Sequence, residues 1–150
     1  MTGASFIPVE GADIGVILPV LILVLFGIAS VLVGALFRRG HLMATWLSAV
    51  GFIMTAAVSA VSIGRGERAE GFEGAYVLDD LTFGLLLPCS IAGLLAILMG
   101  IRYLRTLDNG AGELTGLLSL ATAGMAVMVG AQDLIVGFFG LELLSIPLYV

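Results

Sequence analysis

Between Ile14 and Phe37 the sequence holds no charged side chain, and Ser30 is its only polar one. That run exceeds the roughly 20 residues an α-helix needs to cross a hydrocarbon core of about 30 Å. In lipid every backbone polar group must be satisfied internally, which leaves helices and closed barrels. Barrel strands alternate polar and apolar residues over ~10 positions, whereas this run is continuously apolar, so it reads as a helix. A secretory leader would carry a basic start, a shorter apolar core and a cleavage site. Here Glu10 and Asp13 precede the run and Arg38-Arg39 ends it.

Four more apolar runs follow, at about 42–63, 81–103, 114–131 and 134–150. Charged residues delimit them, as expected of membrane spans. The expected fold is therefore all-α, a polytopic transmembrane helical bundle of five spans (14–37, 42–63, 81–103, 114–131 and 134–150) forming one transmembrane domain over residues 1–150. The fifth run starts after Asp133 and reaches Val150 without the polar flank that closes the other four. The expectation is a chain cut within its fifth span and belonging to something larger. Composition agrees with the class: 60% of residues are hydrophobic and 11% charged, against roughly 25% charged in a soluble domain. The net charge of −5 comes from acidic loop residues, which argues against nucleic acid as a partner.

Small residues recur four apart in four runs: Ser30 and Gly34; Ala56, Ala60 and Gly64; Ala92, Ala96 and Gly100; Thr122, Ala126 and Gly130. This spacing lets helix backbones approach closely. Arg38, Arg39, Arg102 and Arg105 fall on one side of the membrane, while Arg65 and Arg68 share the other with five carboxylates. The positive-inside rule then puts the amino terminus outside.

Few residues could carry chemistry. Asp79 and Asp80 precede the third run, where a carboxylate caps free N–H groups; metal binding is the rival reading. His41 is the single histidine and Cys89 the single cysteine, so neither belongs to a metal cluster of its own kind. Gly64-Arg65-Gly66 with Ala69 imitates a dinucleotide fingerprint but follows a membrane helix, not a strand. Pro19 and Pro88 sit within apolar runs as sites of bending.

Glu142 differs in kind. It lies nine residues after Asp133, which at 1.5 Å per residue is roughly 13 Å deep. A charge at a helix centre costs about 2.5–3.5 kcal/mol on the insertion scale. The eleven large apolar residues of its helix return about 0.3–0.6 kcal/mol each, so the helix inserts and keeps the acid. Phe138, Glu142, Ser145 and Tyr149 share one face, expected to turn into the bundle rather than towards lipid. Pro147 has no N–H for the Leu143 carbonyl, which frees an acceptor beside the acid. Low dielectric makes a carboxyl hold its proton and an approaching cation loosens it, so a cation moving near Glu142 would switch its proton affinity. The chain has no lysine, and its six arginines lie at helix ends or in loops, so that cation must come from elsewhere. The bland alternative is a buried acid that only pairs helices.

Tyr76-Val77-Leu78-Asp79-Asp80-Leu81-Thr82-Phe83, Ala123-Gly124-Met125 running on to Gln132-Asp133-Leu134-Ile135, and above all Gly140-Leu141-Glu142-Leu143-Leu144-Ser145-Ile146-Pro147-Leu148-Tyr149 resemble subunit N of the proton-pumping NADH:quinone oxidoreductase. The last segment is shared by the antiporter-like superfamily, and residues 76–83 favour subunit N within it. The resemblance implies the amino-terminal fragment of a membrane-arm subunit of respiratory complex I, of about fourteen helices, in a bacterial inner membrane. It implies that Glu142 is a proton-pathway residue partnered by a lysine on a later helix. Other membrane-arm subunits and lipid would be its partners. No cofactor is expected in this chain; quinone and NADH would act at the level of the complex. Two alternatives stand: a subunit of a multisubunit cation/proton antiporter, marked by sodium-dependent transport, and a non-catalytic membrane scaffold or assembly protein.

Overall fold

A computed structural model describes residues 11–37, 41–65, 68–104 and 111–149. The first apolar run is divided. A short helix α1 (Gly11–Val16) ends at Ile17, and α2 (Leu18–Leu36) begins with Pro19 in its first turn. Proline has no N–H to offer the Gly15 carbonyl, so an unbroken helix through Ile14 is interrupted where a bend was expected. Helices α3 (His41–Arg65), α4 (Asp80–Leu104) and α5 (Ala111–Gly130) follow, then α6 (Leu134–Leu148). Among the described residues α2, α3, α4 and α5 are long and apolar enough to cross a membrane; α6 is apolar and shorter. Pro88 lies inside α4 without ending it.

The nearly all-helical bundle carries one element that the apolar pattern did not announce. Between α3 and α4 the strands β1 (Ala69–Gly71) and β2 (Tyr76–Leu78) pair antiparallel, joined by a single 3-10 turn at Phe72–Gly74. Phe72, Glu73 and Gly74 all have positive φ, so the turn is left-handed throughout. The hairpin defines one end of the bundle, where α3 and α5 finish and α2, α4 and α6 start.

Helix α5 is the hub and packs against α2, α3, α4 and α6. Two of the four small-residue stripes lie at helix contacts. A Cβ on Gly34 would stand 2.9 Å from the Gly112 Cα, so α2 and α5 touch backbone to backbone there. Thr122, Ala126 and Gly130 are all buried on α5. In the other two stripes Ala60, Gly64, Ala92 and Ala96 are exposed while Ala56 and Gly100 are half-buried, and a Cβ added to Gly64 would meet nothing within 4 Å. The central core joins Leu23, Ala49, Phe52, Ile97 and Ala123. A second cluster at the hairpin end joins Val16, Tyr76, Leu78 and Phe83.

Candidate functional site: an acid on the uncovered face of the last helix

Asp133 starts α6. It holds extended φ/ψ, its side chain accepts from the Ile135 N–H at 3.2 Å, and its carbonyl accepts from Gly137 at 3.0 Å. The helix then lies on α5 through glycine. A Cβ on Gly124 would stand 2.5 Å from the Leu144 nitrogen, and one on Gly140 2.8 Å from the Met128 nitrogen. Gly140 is the buried residue of α6. Two residues further along, at roughly 100° each, a side chain emerges on the opposite side of the helix. That side chain is Glu142, which is exposed.

The polar face read from the sequence therefore exists, but it does not turn into these helices. Phe138, Glu142 and Tyr149 are all exposed, Tyr149 by 87%. Side-chain direction is set by the Gly124–Gly140 contact, and glycine spacing in the sequence does not reveal which face that contact takes. Ser145 Oγ donates to the Glu142 backbone carbonyl at 3.1 Å, not to the carboxylate. Pro147 lies inside α6, leaving the Leu143 carbonyl without its helical donor. Glu142 makes no ion pair with any described residue; Arg68 and Glu70 pair at 3.1 Å on the exposed hairpin. Arg38, Arg39 and Arg105 lie outside the described residues, as do the side chains of His41 and Arg102. No group of three His, Cys, Asp or Glu side chains comes together among the described residues.

The hairpin end is built from Tyr76–Phe83. Tyr76 is buried, and its hydroxyl donates to the Ala126 carbonyl of α5 at 3.1 Å. Its backbone bridges to Ala131, while the Gln132 N–H donates to the Ala75 carbonyl at 3.0 Å. Burial pushes the phenol up to about 12. Asp79 caps α4: one carboxylate oxygen accepts the Thr82 N–H and the Thr82 hydroxyl, each at 2.8 Å. Those two bonds, the backbone one first, hold its carboxyl below the usual range, with a smaller contribution from the Arg68 charge. Of the two aspartates, Asp79 does the capping and Asp80 is exposed in the first turn. Tyr76 as a lock between loop and helix was missed by sequence reading. Its signal was an aromatic and β-branched run, Tyr76-Val77-Leu78, inside a charged loop.

Four membrane-length apolar helices and a shorter apolar one define a multi-pass helical membrane protein, with an exposed acid midway along α6. Curated proteins named NADH-quinone oxidoreductase subunit N match about 90% of this chain at 29–36% identity. The chain is 36% identical over 141 residues to NADH-quinone oxidoreductase subunit N of Trichlorobacter lovleyi, covering 92% of this chain and 28% of that protein. It is 32% identical over 141 residues to the protein of the same name from Maricaulis maris, covering 92% and 29%. Against that of Paramagnetospirillum magneticum it is 32% identical over 145 residues, covering 95% and 29%. The chain thus spans less than a third of the length of the curated relatives it matches. No protein-family model matches it.

Proposed function

We propose that this chain is part of a membrane-arm subunit of a proton-pumping NADH:quinone oxidoreductase, and that Glu142 takes up and releases a proton in that subunit. The observation that carries this reading is the placement of Glu142 midway along α6, on the face opposite its contact with α5. A carboxylate at that depth is too expensive to leave against lipid tails. It calls for a protein cover carrying a cation or a hydrogen-bond donor. The curated relatives extend far beyond the matched region, which supports a cover from the same polypeptide. The resemblance implies a lysine on a later helix in that role. A lysine that approaches and withdraws would lower and raise the proton affinity of Glu142 in turn. The other membrane-arm subunits and surrounding lipid are the expected partners. No cofactor is assigned to this chain; NADH and quinone act elsewhere in the complex. The hairpin end faces outwards in this reading, with the amino terminus, in a bacterial inner membrane.

The test uses the full-length protein in its complex. Glu142→Gln keeps size and hydrogen-bonding capacity but cannot ionise. It is expected to lower proton translocation per NADH oxidised much more than it lowers assembly. Equal loss of both would make Glu142 a helix-pairing group and leave a scaffold. Transport that depends on sodium would point to the antiporter relatives instead.

A further inference from the structure

Helix α3 carries a stripe of hydroxyl groups along its buried face. Thr45, Ser48, Thr55, Ser59 and Ser62 are all buried, and at 1.5 Å per residue they extend over ~25 Å, most of a bilayer core. Phe52 interrupts the stripe. It is fully buried midway, packed among Leu23, Ala49, Ile97 and Ala123 from all four long helices. Neighbouring helices also bury hydroxyls at levels on either side of Phe52: Ser30, Thr115 and Ser119 away from the hairpin, and Ser90 towards it.

In a helix a serine or threonine satisfies itself by donating to the carbonyl one turn earlier. Thr55 does so to Gly51 at 3.0 Å, Ser59 to Thr55 at 2.9 Å, Ser90 to Leu86 at 2.8 Å and Ser119 to Thr115 at 3.1 Å. Ser48 does not. Its carbonyl one turn earlier belongs to Ala44, and that oxygen lies 3.0 Å from Ser30 Oγ, reaching across from α2. Ser48 Oγ is left fully buried with no hydrogen-bond partner. The Ser30 hydroxyl also lies 3.2 Å from the Gly112 carbonyl and 3.1 Å from Thr115 Oγ1, where either hydroxyl can donate, and Thr115 Oγ1 donates to the Gly112 carbonyl at 3.4 Å. Ser48 Oγ is thus a buried hydroxyl, both donor and acceptor, with no protein group to bond.

We propose that the crossing of α2, α3 and α5 binds water at Ser48, and that Phe52 is the barrier keeping this water apart from the Thr55, Ser59 and Ser90 hydroxyls. A buried polar atom without a protein partner is a place for ordered water. The buried polar side chains at this crossing, Ser30, Ser48, Thr115 and Ser119, are neutral hydroxyls that can hydrogen-bond water. An apolar constriction between two polar segments stops water and protons by dewetting. The site stands on the α3 core and is independent of Glu142.

Two measurements on the assembled full-length protein test it. A density map fine enough to show ordered water is expected to hold a peak within hydrogen-bonding distance of Ser48 Oγ; a dry site, with the Ser48 hydroxyl turned on to the Ala44 carbonyl, overturns the proposal. In vesicles containing the assembled complex, Phe52→Ala is expected to raise passive proton leak several-fold and Phe52→Leu to leave it unchanged. An assembled Phe52→Ala complex as tight as the unaltered one overturns the barrier. If Phe52→Ala does not assemble, the density at Ser48 in the unaltered protein decides.

Discussion

Tyr76 ties loop to bundle with one hydroxyl, and the pH dependence of that tie has a definite sign. The phenol ionises near 10.0 when free and is pushed up to about 12 in the fold. A group that holds its proton more tightly when folded contributes stability in full below pH 10, and loses it as pH rises through the folded value. Unfolding of the purified full-length protein is therefore expected to become easier between pH 10 and pH 12. Tyr76→Phe should remove most of that alkaline loss, while costing about 1 kcal/mol at neutral pH through the lost bond to Ala126. An alkaline loss of the same size in the variant would show that Tyr76 is not its source. At this scale sequence reading succeeded with Asp79, because a carboxylate before an apolar run has a local reason to cap. It failed with Tyr76, because the Tyr76-Val77-Leu78 run hints at a strand but does not point to the partner, Ala126, fifty residues away.

Among the helices, close approach rather than apolar area alone decides who packs with whom. Gly124 sits against the backbone of α6, so an added methyl group meets a nitrogen that cannot move aside. Gly124→Ala is expected to push α5 and α6 apart and to lower stability by about 1–3 kcal/mol, the range for overpacking. Gly64→Ala meets open space and should be neutral, or stabilising by up to about 1 kcal/mol through helix propensity. Melting temperatures of the two variants in detergent would check the contrast, and similar effects from both would refute it. The four small-residue stripes look alike in sequence, yet those of α2 and α5 lie at helix contacts while Ala60, Gly64, Ala92 and Ala96 of α3 and α4 are exposed. Spacing records that a helix can be approached closely; it does not record from which side. The four membrane-length helices and the shorter apolar α6 were readable because lipid demands long apolar runs. The hairpin was not, since three-residue strands pair through backbone groups that every sequence supplies. The break at Ile17 lay between these cases: Pro19 marked the place, but a bend and a full interruption have the same local signature.

For the molecule as a whole, the informative feature is an imbalance between its two sides. One side of α6 is fitted to α5 at glycine contact, while the other sets Phe138, Glu142 and Tyr149 outwards. The sequence identified the acid and its face; it did not identify their direction, which depends on packing partners beyond α6 itself. In the function proposed above, this bundle is one half of a site whose other half brings the countercharge to Glu142. Isotope-edited infrared difference spectroscopy of the assembled full-length complex, with Glu142→Gln as the subtraction, measures the protonation of that carboxyl directly. A carboxyl band that appears and disappears with turnover, and is missing from the variant, is the predicted result. A Glu142 band that stays the same from the resting enzyme through turnover would contradict proton transfer through this residue.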